Sequence, residues 1–187
     1  MGTQQDMIQL LVTDHHEVEE MFTQLERMSG DGGEQAKTLA EKLVIELVRH
    51  SVAEEEYLYP AVREYVPGGG KLADQEIAEH ADAEETMKRL EALEPDQADF
   101  WPTVHLLMGQ IRAHVQEEEN DLFPRLREAC PADQLAELGG KVKQAKKMAP
   151  TRPHPSAPDT PPANKLLAPG AGLVDRIRDF LTGRGRS

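Results

Sequence analysis

Cysteine, cationic residues and long apolar runs are all scarce in this chain of 187 residues. Cys130 is the single cysteine, which excludes an intrachain disulfide and a cysteine-rich zinc site. The 21 lysines and arginines are outnumbered by 34 aspartates and glutamates, so the formal net charge is −13. Because nucleic-acid binding needs clustered cations against phosphate, so acidic a chain is a poor candidate for it.

No stretch approaches the ~18 consecutive apolar residues that a transmembrane helix needs. The first six residues contain no basic stretch followed by an apolar core, so a secretory signal is not expected. The single cysteine also fits a reducing compartment. The sequence therefore predicts a cytoplasmic protein without a transmembrane segment.

Proline and charge divide the chain near residue 149. Seven of the 13 prolines lie within residues 150–169, where they break helices and remove backbone donors. Residues 1–148 carry 15 Lys/Arg against 31 Asp/Glu, whereas residues 149–187 carry six against three. We therefore predict an acidic domain over 1–148, a Pro-rich disordered linker over 149–170 and a short amphipathic helix with a basic end over 171–187. That helix is a candidate for docking on its own domain or on a partner.

Within the acidic domain, apolar residues recur at spacings of three and four, the period of an amphipathic helix. Glycine- and proline-rich breakers separate the periodic segments. The predicted helices span about 4–28, 34–65, 72–93 and 97–129, with a shorter fifth at about 132–147. Four amphipathic helices joined by short loops pack as an up-down-up-down bundle, so the expected fold class is all-α.

The first two predicted helices are repeated in the third and fourth. The 15 residues from His50 and the 15 from His114 agree at seven positions without a gap. The helix before each stretch is repeated as well, and its alignment matches His15 with His80. A helical hairpin therefore occurs twice, and two such hairpins packed face to face give a bundle with approximate twofold symmetry.

Polar residues with ligand chemistry lie on the apolar faces of these helices. In each H-x-x-x-E stretch the histidine and glutamate are four residues apart, hence one turn apart on one face. Six residues share this inward position: His15, His50, Glu54, His80, His114 and Glu118. Buried polar groups carry a large desolvation cost unless something satisfies them. Imidazole and carboxylate suit iron, manganese or zinc, and two opposed carboxylates can bridge a pair of ions.

A satisfied polar core without metal is the alternative interpretation. One H-x-x-x-E pair can arise by chance as a weak ion pair on a helix. Two such pairs at matched spacing, with the two lone histidines in register, favour a metal centre. The glutamates that follow each pair, Glu55 and Glu119, are expected on the solvated surface or as reserve ligands, and Tyr59 is expected to serve in packing.

The order of these residues resembles the bacterial hemerythrin-like domain, also called the HHE cation-binding domain. A lone histidine precedes H-x-x-x-E twice, and each H-x-x-x-E is followed by a glutamate and an aromatic-proline pair. The resemblance covers roughly residues 5–130 and implies a four-helix bundle around two iron ions with an oxo or hydroxo bridge. It makes His15, His50, His80 and His114 terminal ligands, and it makes Glu54 and Glu118 bridges.

Two departures from oxygen-carrying hemerythrins shape the expected function. Glu84 stands where those carriers have a second histidine on helix three, which makes Glu84 a further candidate ligand. Glu118 lies four residues after His114, where the carriers place an aspartate at five. Anionic oxygen ligands favour the ferric state relative to neutral imidazole, so reversible dioxygen carriage is disfavoured.

We therefore expect a non-haem di-iron protein that reacts with hydrogen peroxide or a related small oxidant in catalase-like or peroxidase-like turnover. The alternative, favoured by the amphipathic tail, is a module that binds or senses dioxygen, nitric oxide or iron without turnover. A metal-free helical interaction domain is the third interpretation. E-x-x-H pairs, which ferritin-like di-iron proteins use, do not occur in the sequence.

Overall fold

A computed structural model of the protein describes residues 5–30 and 32–155, together with Asp175, Asp179 and Arg184. Within this part of the chain the regular secondary structure is helical throughout. The α-helices, in chain order, are α1 (Met7–Met28), α2 (Gly33–Ala53), α3 (Tyr59–Tyr65), α4 (Gly69–Glu91), α5 (Phe100–Glu117), α6 (Phe123–Ala129) and α7 (Ala132–Met148).

Two π-helical turns join α-helices into longer rods. The turn π1 (Glu54–Leu58) connects α2 to α3, and π2 (Glu118–Leu122) connects α5 to α6. The bundle therefore consists of four rods, namely α1, α2–π1–α3, α4 and α5–π2–α6. The helix α7 packs as a fifth against α1 and α2. The predicted all-α bundle with a duplicated hairpin and a fifth helix is confirmed.

Proline explains why both π turns occur at the same place in the repeat. Pro60 and Pro124 stand at the start of α3 and α6. A proline has no N–H, and its ring clashes with the carbonyl group four residues before it in an α-helix. The wider turn accommodates the ring, and the preceding residue, Tyr59 or Phe123, donates its N–H to the carbonyl oxygen five residues back. π turns are frequent at functional sites.

Helix starts are where the predicted boundaries need correction. α1 begins at Met7 because the Asp6 side chain accepts a hydrogen bond from the Gln9 N–H at 2.8 Å and thereby caps the helix. α5 begins at Phe100 rather than near 97, because the Glu94 N–H is bonded to the Gln97 side chain in a turn.

α4 begins at Gly69, inside the glycine run that was predicted to be a break. Gly68 has φ +75°, a conformation that favours glycine. A Cβ at Gly69 would lie 2.0 Å from the carbonyl oxygen of Val62, so only glycine permits this close approach to α3. The glycines therefore close the loop and open the next helix at the same point.

Two apolar clusters fill the bundle, one toward each end, with a polar layer between them. On α1, Leu11 belongs to one cluster and Val18 to the other, and His15 lies between them. The other three rods alternate in the same way, since the inward histidines and glutamates separate their apolar segments. The polar layer is thus shielded from water by apolar packing above and below.

α7 covers the end of the bundle that contains Leu11. Its side chains Leu135 and Val142 are buried in the same cluster as Leu11. A Cβ at Gly139 would lie 2.6 Å from the carbonyl oxygen of Gln5, so this glycine allows α7 to approach the start of α1. No helix in the described part of the chain is long and apolar enough to cross a bilayer.

The described residues after α7 contact α4 through ion pairs of Arg152 and Arg184 with Glu91, and they also contact one another. Thr151 is buried, and its N–H donates to the Asp175 carboxylate at 3.2 Å. His154 is 2.9 Å from the same carboxylate. Residues 156–170 of the predicted linker, and the predicted amphipathic helix apart from Asp175, Asp179 and Arg184, lie outside the described residues. The domain boundaries therefore stay a prediction.

Candidate metal centre

Each of the four rods contributes one histidine to the polar layer, and the two rods with π turns each add a glutamate. The glutamates, Glu54 and Glu118, are the first residues of π1 and π2. All six side chains are buried: His15, His50, Glu54, His80, His114 and Glu118. The structure thus brings together all the residues that sequence analysis placed on the inward faces.

The histidines form two pairs with the same spacing. The Nε2 atoms of His15 and His50 are 3.2 Å apart, and those of His80 and His114 are also 3.2 Å apart. The equal distances reflect the duplicated hairpin. Four imidazole nitrogens therefore face the interior of the bundle as two separate donor pairs.

Both carboxylates lie between the two histidine pairs. Oε1 of Glu54 is 2.9 Å from Nε2 of His50, and its Oε2 is 3.3 Å from Nε2 of His80. Oε2 of Glu118 is 3.4 Å from Nε2 of His15, and its Oε1 is 3.7 Å from Nε2 of His114. Each glutamate thus presents one oxygen to each pair, which is the arrangement that a bridging carboxylate requires.

Unsatisfied polar atoms indicate that this cluster suits a cation. Within the described residues, both Glu54 oxygens and Oε2 of Glu118 are buried without a hydrogen bond of good geometry. Such atoms are costly inside a protein unless they find a partner. In the same part of the chain, three groups hold ligand atoms within 4.8 Å of one another: His15, His50, Glu54 and Glu118; Glu54, His80 and His114; and Glu76, His114 and Glu118. Nitrogen and oxygen donors in these groups fit first-row metal ions.

Carboxylates also hold the outer nitrogen of each imidazole. Nδ1 of His15 is 2.8 Å from Oε1 of Glu119, and Nδ1 of His80 is 3.0 Å from Oε1 of Glu55. The expectation of a solvated surface position is wrong for Glu55, which is buried, and Glu119 is half-buried. Each glutamate orients the histidine of the other hairpin, as outer carboxylates do in metal–histidine sites.

The other two histidines are held by acids that sequence analysis missed. Nδ1 of His50 is 3.2 Å from Asp14, and Nδ1 of His114 is 2.9 Å from Glu76 and 3.3 Å from Glu79. The signal was present in part, because Asp14 and Glu79 are aligned in the repeat. Glu76 lies one turn before His80 on the same face of α4, which is the helical spacing already used for the ligands.

Charges in the cluster shift the pKa values of its members. Burial lowers the pKa of His50, but the Glu54 charge and the Asp14 contact outweigh burial and raise it to about 10. Burial likewise lowers the pKa of His80, whereas its contacts with Glu54 and Glu55 raise it to about 9. The raised pKa values of His50 and His80 favour protonated rings beside the carboxylates, and a metal ion bound there would compete with these protons.

Tyr59 breaks the twofold symmetry of the site. Its hydroxyl group lies 2.9 Å from Nε2 of His80 and donates a hydrogen bond to Oε1 of Glu118 at 3.3 Å. The corresponding residue of the second repeat is Phe123, whose ring stacks on His15 with centroids 5.7 Å apart. Tyr59 therefore does more than pack, and the two halves of the centre differ chemically.

Glu84 lies apart from the groups of candidate ligand atoms found within the described residues. Burial and the nearby charge of Glu55 raise the pKa of Glu84 to about 7. The backbone N–H of His154 lies near its carboxylate and offsets part of this rise in pKa. The geometry thus gives Glu84 a position beside the centre and in contact with the segment after α7.

Comparison with known proteins agrees with this architecture. The family profile described as the hemerythrin HHE cation binding domain matches residues 6–126. An uncharacterized hemerythrin-like protein of Schizosaccharomyces pombe is 31% identical over 141 residues, which cover 75% of this chain and 70% of that protein. A DNA nickase of Nostoc is 28% identical over 143 residues, which cover 76% of this chain but only 38% of the nickase.

A solved structure has the same fold. It is the crystal structure of a hemerythrin HHE cation binding domain-containing protein from Mycobacterium kansasii, with a TM-score of 0.66 and 22% sequence identity. The match covers 76% of this chain and 86% of that one. At this identity the comparison establishes a shared helical bundle.

Proposed function

The chain belongs to the hemerythrin HHE cation-binding family, and on that premise we propose that it is a di-iron protein that reacts with hydrogen peroxide or a related small oxidant. Domains of this family bind metal cations, and the His/Glu cluster is the candidate site here. The observation that carries the proposal is the position of Glu54 and Glu118, each with one oxygen toward each histidine pair. Such sharing suits two ions rather than one.

The proposed ligands divide the centre into two halves. One half comprises His15 and His50, the other comprises His80 and His114, and both glutamates serve both halves. Bound iron would supply electron exchange with the oxidant, which no side chain of the cluster supplies by itself. The two carboxylates compensate part of the charge of the ions, and anionic oxygen donors favour the ferric state.

Residues around the ligands would keep the centre rigid and limit its contact with bulk water. The outer carboxylates on the Nδ1 atoms hold the imidazole rings in one orientation. The Tyr59 hydroxyl group holds a proton directed at Oε1 of Glu118, on one half only. The apolar clusters on both sides exclude bulk water from the polar layer.

The test measures metal content and peroxide consumption on full-length protein from iron-replete cells. We expect near two irons per chain and peroxide loss that depends on the bound iron. Zinc-loaded protein is the matched control, because zinc occupies similar ligands but is redox-inactive, and it should not consume peroxide. Folded protein with little or no transition metal would overturn the di-iron assignment.

A second candidate function is a module that binds or senses dioxygen, nitric oxide or iron without turnover. The contact between the C-terminal residues and α4, the helix that carries His80, favours it. Protein with two irons but no peroxide consumption would select this alternative.

We also propose that the protein acts in the cytoplasm and without nucleic acid. Its acidic charge supports the second point. Because one relative is named a DNA nickase, nicking of supercoiled plasmid by the iron-loaded protein is the direct test. We expect no nicking, and nicking that depends on the His/Glu cluster would contradict the proposal.

A further inference from the structure

A cavity of about 330 Å³ lies between α1 and α5, beside one half of the metal centre. The buried His15 and the half-buried Glu119 line it, so it reaches the centre itself. Its walls include the apolar side chains Val18, Ile111 and Val115. Such a cavity is large enough for several water molecules or a small solute.

Arg112 organises the outer part of this cavity. Its guanidinium group bonds to Glu19 at 2.7 Å and to Glu26 at 2.8 Å, and it lies over the Phe22 ring. The Arg112 side chain is 40% exposed, so these contacts lie at the rim. Two bonds to Glu19, at 2.7 and 3.0 Å, and one to Glu26 form a network that holds the guanidinium group in one position at the rim.

The repeat identifies the equivalent position on the other half of the centre. In the alignment of α1 with α4, Glu19 corresponds to Glu84 and Glu26 to Glu91. Val48 on α2 stands at the position of Arg112, so the equivalent position on this side holds no arginine. If the symmetry were complete, a second cavity would reach His80 here.

Described residues after α7 lie beside this equivalent position. The backbone N–H of His154 lies near the Glu84 carboxylate, and the side chains of Arg152 and Arg184 form ion pairs with Glu91. Arg184 is buried, and Asp179 bonds both Thr151 and Arg152 at 2.6 Å. Arg152 and Arg184 thus supply cations to α4, the helix that carries His80, as Arg112 supplies one to α1.

We propose that the cavity between α1 and α5 is the access route by which metal ions and small reactants reach the centre, and that Arg152, His154 and Arg184 block the symmetry-related route beside α4. Reactants therefore arrive at the half held by His15 and His50, away from Tyr59. The part of this inference that concerns reactants rests on the proposed peroxide reaction, whereas the part that concerns metal ions does not.

The first experiment fills the cavity in the full-length chain. Val115→Trp places a large side chain in the cavity wall, and Leu106→Trp adds the same side chain at an exposed position of α5 as the control. The readouts are the rate of Co²⁺ uptake by metal-free protein, followed by visible absorption, and the second-order rate constant with hydrogen peroxide after iron loading. We expect both rates to fall about tenfold or more for Val115→Trp, with final metal content unchanged, and to stay at wild-type values for Leu106→Trp.

The second experiment opens the blocked route. Arg184→Gln removes a buried cation that pairs with Glu91, and in the Val115→Trp background it should restore cobalt uptake at least in part. Gln116→Trp, at an exposed position of the same cavity, replaces Val115→Trp if the latter does not fold. Unchanged cobalt uptake in a folded, cavity-filled variant would overturn the route. Slowed cobalt uptake in a protein that never consumes peroxide would support the route and reject the proposed reaction.

Discussion

Replacing either shared glutamate should remove both metal ions from the chain. Glu54→Gln and Glu118→Gln keep the shape of the side chain but remove its charge. Because each carboxylate presents one oxygen to each histidine pair, each substitution weakens both halves at once. A substitution of His50 alone, by contrast, directly affects one pair. Metal content should therefore fall toward zero for either glutamate variant and toward one ion for His50→Ala.

The loss of metal should also lower the thermal stability by a predictable amount. An ion that binds only the folded chain at about 100 times its Kd adds about 2.7 kcal/mol, so two ions add about 5 kcal/mol. In a domain of about 150 residues each kcal/mol changes Tm by roughly 2–4 °C. We therefore expect the Tm difference between metal-loaded and metal-free wild type to be about 10–20 °C, and to vanish in both glutamate variants.

Calorimetry with and without metal, together with elemental analysis, checks this prediction. Glu20→Gln is the matched control, because Glu20 is an exposed residue of α1 and should keep both ions and the full Tm difference. Equal metal loading of wild type and Glu54→Gln would refute the assignment of Glu54 as a shared ligand. Loss of exactly half the metal from each glutamate variant would show that each carboxylate serves only one half.

Three further predictions test the surroundings of the centre. Tyr59→Phe removes a buried hydroxyl group, while the ring still fits, as that of Phe123 does in the other repeat. It should destabilise the metal-free protein by about 1–3 kcal/mol in urea unfolding. An unchanged unfolding midpoint would contradict a net contribution of this hydroxyl group to stability. Glu119→Gln should lower the metal affinity roughly 10–100-fold in calorimetric titration, and Glu55→Gln should do the same through the other half of the centre. If only one of the two substitutions lowers the affinity, the two outer carboxylates are not equivalent. Gly139→Ala should lower the free energy of unfolding by about 1–3 kcal/mol in the same assay, because its Cβ would lie 2.6 Å from a carbonyl oxygen just before α1. A variant more stable than wild type would contradict that close approach.

The bundle has a twofold repeat, but several residues and contacts differ between its two halves. Tyr59 and Phe123 occupy equivalent positions, but the tyrosine hydroxyl group contacts His80 and Glu118, whereas the Phe123 ring only stacks on His15. Arg112 lies at the rim on one side, and Arg152 and Arg184 contact Glu91 on the other. Duplication thus accounts for the two histidine pairs, and these differences account for their unequal surroundings.

Several features of the protein could be derived from the order of residues alone. The helices follow from apolar spacing, and the six inward polar residues follow from their register within that spacing, because both are properties of a single helix. The duplicated hairpin follows from aligning the chain with itself. The helix starts at Gly69 and Phe100 were less predictable, since they depend on a close approach between helices and on a local turn.

Tertiary structure alone decided which groups surround the ligands. The contact between His15 and Glu119 joins residues that are 104 positions apart in the sequence. The apolar periodicity of a helix does not show which residues of the two hairpins contact each other. The same holds for the Tyr59 hydroxyl group and for the C-terminal residues that reach Glu91. The sequence by itself therefore determined the fold class and the donor set, because these depend on spacing within each helix. The packing of the helices determined the sharing of Glu54 and Glu118, the outer carboxylates and the contacts at Glu91, because these depend on distances between helices.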